Sequence, residues 1–286
     1  MKLISYLRRG ESLERPSYGA VVGDVVVDLA SPSAPTLCAA LAIEGTDGLA
    51  DRLSAGLAGS KTALADAILL PPITDSAKIL CVGLNYRQHA LEAGMTVPAK
   101  PSIFVRFPAS LVGAGQPVLR PRESDLFDYE AELAVVIGRP GRRIAVQDAM
   151  RHVAGYACLA ENSVRDWQRH SAQATPGKNF DSSGAFGPWL VTPDEAGPPE
   201  EMMITGRLNG EVVQHDSVAN MIFTVAELIA YLSTFTELLP GDVISTGTPA
   251  GVGLGRKPPR YMRAGDVFEV EISRLGVLSN TVRDDL

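Results

Sequence analysis

The chain has little cysteine. Its only three, Cys38, Cys81 and Cys158, are spread over 286 residues and form no CxxC pair. Three thiols cannot all be joined, and each lies among apolar neighbours. The expectation is therefore buried, reduced thiols in a reducing compartment. Positive charge is also short: 26 Lys and Arg stand against 33 Asp and Glu, a formal net charge of −7. That balance excludes the basic, clustered footprint of a nucleic-acid binder. No run approaches the roughly 18 apolar residues of a membrane span, and residues 1–10 lack the apolar stretch of a signal peptide. No membrane partner is expected, and the cytoplasm is the expected location. There is no internal repeat, heptad run, low-complexity tract or phosphate-binding GxxxxGK pattern. The regular strand–helix alternation of a doubly wound sheet is missing as well.

What remains is an ordinary globular composition, 45% apolar and 21% charged, long enough for one large domain or two smaller ones. The implied ligand is a small molecule. An anionic one would need local Arg, Lys or metal against the negative overall field. Residues 2–9 and 18–29 read as strands, the latter folded at Gly23 and Asp24. Residues 36–68, rich in Ala and Leu and broken by glycines, read as two or three short helices. A turn-rich linker over 70–75 places a boundary between a small accessory unit, 1–74, with few candidate catalytic groups, and a larger unit, 75–286.

The larger unit is organised around residues 128–138 (DYEAELAVVIG). Alternate positions make this a β-strand. Tyr129, Ala131, Leu133, Val135 and Ile137 form one face. Glu130 and Glu132 open the other, which continues as Ala134 and Val136. Both faces therefore look covered, with two carboxylates on one side about 7 Å apart at Cα. Like charges at the end of a covered face call for a proton or a divalent cation. Spacing alone equally allows a solvated strand end.

Around this strand lie several weaker signals. His89 and Glu92 sit one helical turn apart after the strand 78–83, a spacing at which a carboxylate can fix the imidazole tautomer and raise its basicity. Arg106 lies among apolar residues in the strand 101–107. Glu161 ends the strand 155–160, and the turn after it carries Arg165, Asp166, Trp167 and Gln168. A local salt bridge between Arg165 and Asp166 is the structural alternative for the pair, and for Asp166 the favoured one. Lys178 follows a polar loop. Asn209 and Gly210 mark a hairpin. Thr224 and Glu227 form a capping box before a helical apolar stripe ended by Pro240 and Gly241. After the strand 242–246, Gly247, Gly251 and Gly253 with Thr248 could bring backbone N–H groups to an anion, or form a plain loop.

Taken together and in this order, five stretches make the pattern specific: VGLNYRQHALE at 82–92, DYEAE at 128–132, SVRD at 163–166, GKNF at 177–180 and STGTPAG at 245–251. With them, the chain from about residue 78 to 286 resembles the fumarylacetoacetate hydrolase family. Residues before about 75 look like the variable N-terminal domain of its bacterial members. The resemblance implies an α+β fold, a mixed β-sandwich roll binding one divalent metal, usually as a homodimer. It implies Glu130, Glu132 and Glu161 as metal ligands and His89 and Glu92 as a catalytic dyad on a segment that orders over the substrate. It implies Lys178 as a catalytic group holding the oxyanion, with Arg106, Arg165, Gln168 and Thr248 binding substrate. Glu161 stands where the family usually has Asp, and Arg106 where lysine is common. Carboxylate and water ligands suit Mg²⁺ or Mn²⁺, and Ca²⁺ as well. The implied activity is metal-dependent hydrolysis of a C–C bond in a small anionic 2-oxo acid, an acylpyruvate of the kind met in aromatic-compound catabolism. Isomerisation or decarboxylation on the same scaffold, or non-catalytic binding, are the alternatives.

Overall fold

The structure, a computed structural model, describes residues 1–10 and 16–285; residues 11–15 of the expected accessory unit and residue 286 of the larger unit lie outside the described residues. The central strand expected over 129–137 forms over Ala131–Ile137, all seven residues buried, and Tyr129 and Glu130 lie just before it. It pairs antiparallel with Val153–Ala160 on one side and with Val243–Ser245 on the other. Beyond Val243–Ser245 come Ile79–Gly83, in parallel, and then Ser102–Arg106, which forms the sheet edge. In the other direction Val153–Ala160 pairs with Gly184–Val191, and Gly184–Val191 with Lys2–Arg8. The N-terminal strands Ser17–Val22, Val25–Asp28 and Lys61–Ala63 carry this large sheet to its far edge. Sheet hydrogen bonds thus cross the boundary read at residues 74 and 75.

A second sheet of five strands covers one face of the first. Its order is Glu211–Ser217, Met203–Leu208, Val267–Ile272, Gly276–Asp284 and Val118–Arg120. Leu133, Val135, Tyr156 and Cys158 from the large sheet meet Ile204, Phe268, Val270 and Leu278 in one continuous apolar core. On the opposite face Ala134, Val136, Ala157 and Leu159 pack with Leu37, Leu41 and Leu49 from the helices Leu37–Ile43 and Gly45–Ser54. This double cover explains why both faces of the central strand are apolar. Burial of the aliphatic groups contributes about 1.5–3 kcal/mol per fully buried side chain.

Local signals act as expected at several places. Asn209 and Gly210 both take positive φ, 54° and 81°, between Met203–Leu208 and Glu211–Ser217. Thr224 and Glu227 close a reciprocal capping box at the start of the helix Val225–Phe235. Elsewhere tertiary pairing overrides composition. Residues 36–68 give two helices and then two short strands, Lys61–Ala63 and Ala67–Leu69, because Val25–Asp28 and Lys2–Arg8 offer them open edges. Cys81 and Cys158 are buried as expected, whereas Cys38 is only half-buried.

Candidate active site and metal centre

The ladder from the central strand to Val243–Ser245 covers only Ala134 to Val136. Short of it, side chains take over the backbone. The Ala131 N–H donates to Gln214 Oε1 (2.9 Å), and Thr248 Oγ1 donates to the Ala131 carbonyl (2.8 Å). Gln214 Nε2 in turn donates to Thr248 Oγ1 (2.8 Å). The residue between Glu130 and Glu132 is thereby held on both polar groups, and the two carboxylates turn toward Glu161. All three are buried, with one oxygen of each within 4.8 Å of the others.

Cations are shared unevenly among them. Lys178 Nζ donates to Glu130 Oε2 (3.0 Å), to Glu161 Oε2, and to the Glu161 carbonyl (3.1 Å). Arg165 pairs with Glu130 Oε1 (2.7 Å) and Asp128 Oδ2 (2.7 Å), and Ser163 donates to Glu130 as well. Burial disfavours the Glu130 charge, but Lys178 and Arg165 outweigh it and hold the carboxyl down at about 2. Burial likewise works against the Lys178 ammonium, yet Glu130 and Glu161 raise its pKa. Glu132 receives only the Ser245 hydroxyl (2.5 Å) and the Gly247 N–H (2.8 Å), with no ion pair among the described residues. Burial, with Glu161 and Glu130 beside it, pushes its carboxyl well above the usual range.

This donor set fits a hard divalent cation. Three convergent carboxylates supply oxygen alone, and one of them lacks a positive partner. Two positions that depart from the family pattern touch each other here. Arg106 Nη1 reaches Glu161 Oε1 (3.1 Å), while its other nitrogens bond Ser110 and Ser183. Arg106 is not part of the cavity wall; it stands behind Glu161 as a fixed counter-charge.

The carboxylates floor a cavity of about 520 Å³. Its wall brings together Glu130, Glu132, Lys178, Arg165, Gln168, Thr248, His89 and Glu92. Glu161 lies deeper and is fully buried. His89 and Glu92 sit on the helix Arg87–Glu92, with His89 Nδ1 3.1 Å from Glu92 Oε2. The glycine-bearing loop does bring N–H groups to anions, namely the protein's own carboxylates. Gly251 donates to Glu92 (3.0 Å), Gly247 to Glu132, and Gly253 to Asp128 (2.7 Å). Gly251 has φ 104°, which a side chain would strain. The Arg165–Asp166 bridge read from sequence is not formed. Arg165 turns inward to Asp128 and Glu130, and Asp166 instead accepts from Ser124 (2.6 Å). Gln214 carries no signal in the sequence, and Ser163 and Ser245 stand there only as motif positions. Asp128, buried and holding both Arg165 and the 253–254 backbone, was marked only as a motif position.

Comparison with known proteins identifies the scaffold. Residues 78–283 match the model of the fumarylacetoacetate (FAA) hydrolase C-terminal domain, and the chain belongs to that family of metal-dependent enzymes. A mitochondrial oxaloacetate tautomerase of Xenopus laevis is 47% identical over 216 residues, 75% of this chain and 68% of the relative. The fumarylacetoacetate hydrolase of Exiguobacterium antarcticum superposes with a TM-score of 0.85 at 32% identity, covering 100% of both chains. A maleylpyruvate hydrolase of Sphingobium sp., solved with manganese(II) and pyruvate, gives a TM-score of 0.82 at 25% identity, again over 100% of both. The expected α+β family fold is present.

Proposed function

We propose that the protein interconverts the enol and keto forms of a small 2-oxo acid such as oxaloacetate. The observation that carries this reading is the 47% identity to an oxaloacetate tautomerase over 216 residues, 75% of this chain. It takes precedence over the acylpyruvate hydrolysis implied by the sequence motifs. Glu130, Glu132 and Glu161 would hold Mg²⁺ or Mn²⁺. The bound ion would supply Lewis-acid stabilisation of negative charge on the 2-oxo group. The chain's own residues manage the proton. In the ketonising direction the enol hydroxyl loses one proton and C3 gains one, so nothing else is consumed. His89 lines the cavity and brings an imidazole, the side chain most often used as general acid or base, to its wall. Glu92 fixes its ring and stabilises the charged form. Lys178 and Arg165 set the positive side of the cavity, while Leu84, Phe104, Val252 and Leu254 limit water.

A second reading is C–C hydrolysis, supported by the fold shared with the maleylpyruvate hydrolase and by a dyad equally able to activate water. One assay separates the two. Enol-oxaloacetate is mixed with Mn²⁺-loaded protein and loss of its ultraviolet absorbance is followed, while an acylpyruvate is monitored by NMR in parallel. Faster ketonisation than in buffer with Mn²⁺ alone, with the acylpyruvate intact, is expected. Cleavage of the acylpyruvate without any acceleration of ketonisation would replace the tautomerase reading by the hydrolase.

A further inference from the structure

Resting on the 2-oxo acid reading above, we infer that Arg169 binds the carboxylate at the far end of the substrate and makes the site selective for 2-oxo dicarboxylates over monocarboxylates. The positive groups around the cavity are nearly all taken up by the protein's own carboxylates. Lys178 is engaged by Glu130 and Glu161. Arg165 is engaged by Asp128, Glu130 and the Gln168 amide oxygen through Nε and Nη1, and its Nη2, without a partner among the described residues, is buried rather than exposed at the mouth. His89 is held by Glu92. Arg106 is spent on Glu161 and does not reach the cavity. Arg169 lines the cavity, and among the described residues its guanidinium has neither an ion pair nor a hydrogen bond.

Its place in the fold suits the task. The short helix Arg165–Gln168 carries Arg165 and Gln168 into the wall, and Arg169 caps its end with its N–H bonded to the Asp166 carbonyl (3.0 Å). The backbone that bears the side chain is therefore fixed, while the side chain itself is exposed at the mouth. The metal-binding carboxylates lie at the buried floor, so a substrate held there by its 2-oxo acid end points its other end outward. The lining there also includes the apolar groups Met95, Val252 and Leu254, and the one carboxylate near the mouth, Glu92, is taken up by His89 and the Gly251 N–H. A second carboxylate needs a charged donor, and the fork of a guanidinium matches its two oxygens.

The test uses L-malate and L-lactate, which share the 2-hydroxy acid end and differ by the distal carboxylate. Both are titrated by calorimetry into Mn²⁺-loaded wild type, Arg169→Gln and Arg169→Lys. Wild type should bind malate more tightly than lactate. Arg169→Gln should weaken malate about 10- to 100-fold and leave lactate unchanged, as expected for loss of a hydrogen bond to a charged group. Arg169→Lys should keep part of the preference. A wild type that binds malate no more tightly than lactate overturns the inference, as does a Gln variant that loses both ligands in proportion. Ketonisation measured on the same samples separates the two ideas. Its absence in wild type removes the tautomerase reading, while the malate–lactate comparison still decides the role of Arg169.

Discussion

At the scale of single residues the site is a problem in charge compensation. Glu130 and Glu161 have cations bonded to them, and among the described residues Glu132 has only neutral hydrogen-bond donors. Metal-free protein should therefore carry a proton on Glu132, which the ion must displace. Its raised pKa has a definite sign. Stability tied to this group is fully present below the ordinary carboxylate range and is lost as pH rises through the window up to the raised value. Metal affinity runs the other way, increasing about tenfold per pH unit while Glu132 is protonated, with release of one proton. Calorimetry in buffers of different ionisation enthalpy measures that proton. Glu132→Gln keeps an acceptor for Ser245 and Gly247 but removes the charge. It should cost more in Mn²⁺ affinity than the about 10- to 100-fold typical of outer partners, while the metal-free variant stays folded by circular dichroism. Unchanged Mn²⁺ affinity would show that Glu132 is not a ligand.

The element that carries the dyad is too short to be stable alone. Arg87–Glu92 has six residues, well below the length at which an isolated helix persists in water. It is fastened by Glu92 to the Gly251 N–H and by the bridge of Tyr86 to Met221. Glu92 thus serves two contacts at once, orienting His89 and docking the helix. His89→Ala should lower kcat by about 10² to 10⁴ with Mn²⁺ affinity retained. Glu92→Gln should lower kcat too, and the double variant should fall little below the worse single one, because the pair acts as a unit. Strictly additive losses in a double-mutant cycle would dissolve the pair into two independent residues. The same helix shows how far periodicity reaches: the three-residue spacing of His89 and Glu92 was legible as one helical turn, but the docking of Glu92 on Gly251 joins residues 159 apart in sequence and has no local signature.

For the whole molecule, the N-terminal strands are stitched into the catalytic sheet and their helices cover one face of its central strand. Residues 75–286 produced alone should therefore be aggregation-prone or less stable than the full chain in urea, since Ala134, Val136 and Leu159 lose their cover. Equal stability of the two proteins would mark residues 1–74 as an independent unit. The opposite edge, Ser102–Arg106, pairs with no further strand among the described residues, and Phe107 just beyond it is 54% exposed. Such an apolar edge favours association, and sedimentation at micromolar concentration is expected to show a dimer; a monomer alone would exclude it.

The sequence by itself determined the elements whose causes are local. The alternation over 129–137 specifies a strand covered on both faces, Asn209 and Gly210 specify a turn, and Thr224 with Glu227 starts a helix. It also set Glu130 and Glu132 two residues apart, the spacing that period two directs to one side, although Glu130 lies just before the strand and its convergence with Glu132 and Glu161 is tertiary. Only the tertiary structure decided what each charge faces. Arg165 turned from its neighbour Asp166 to Asp128 and Glu130, Arg106 withdrew behind Glu161, and Arg169 was left at the cavity mouth without a partner among the described residues. The physical reason is that charge pairing is set by distance in space and by the cost of burying an unpaired ion. Those distances come from sheet register between strands far apart in the chain, which no local pattern encodes.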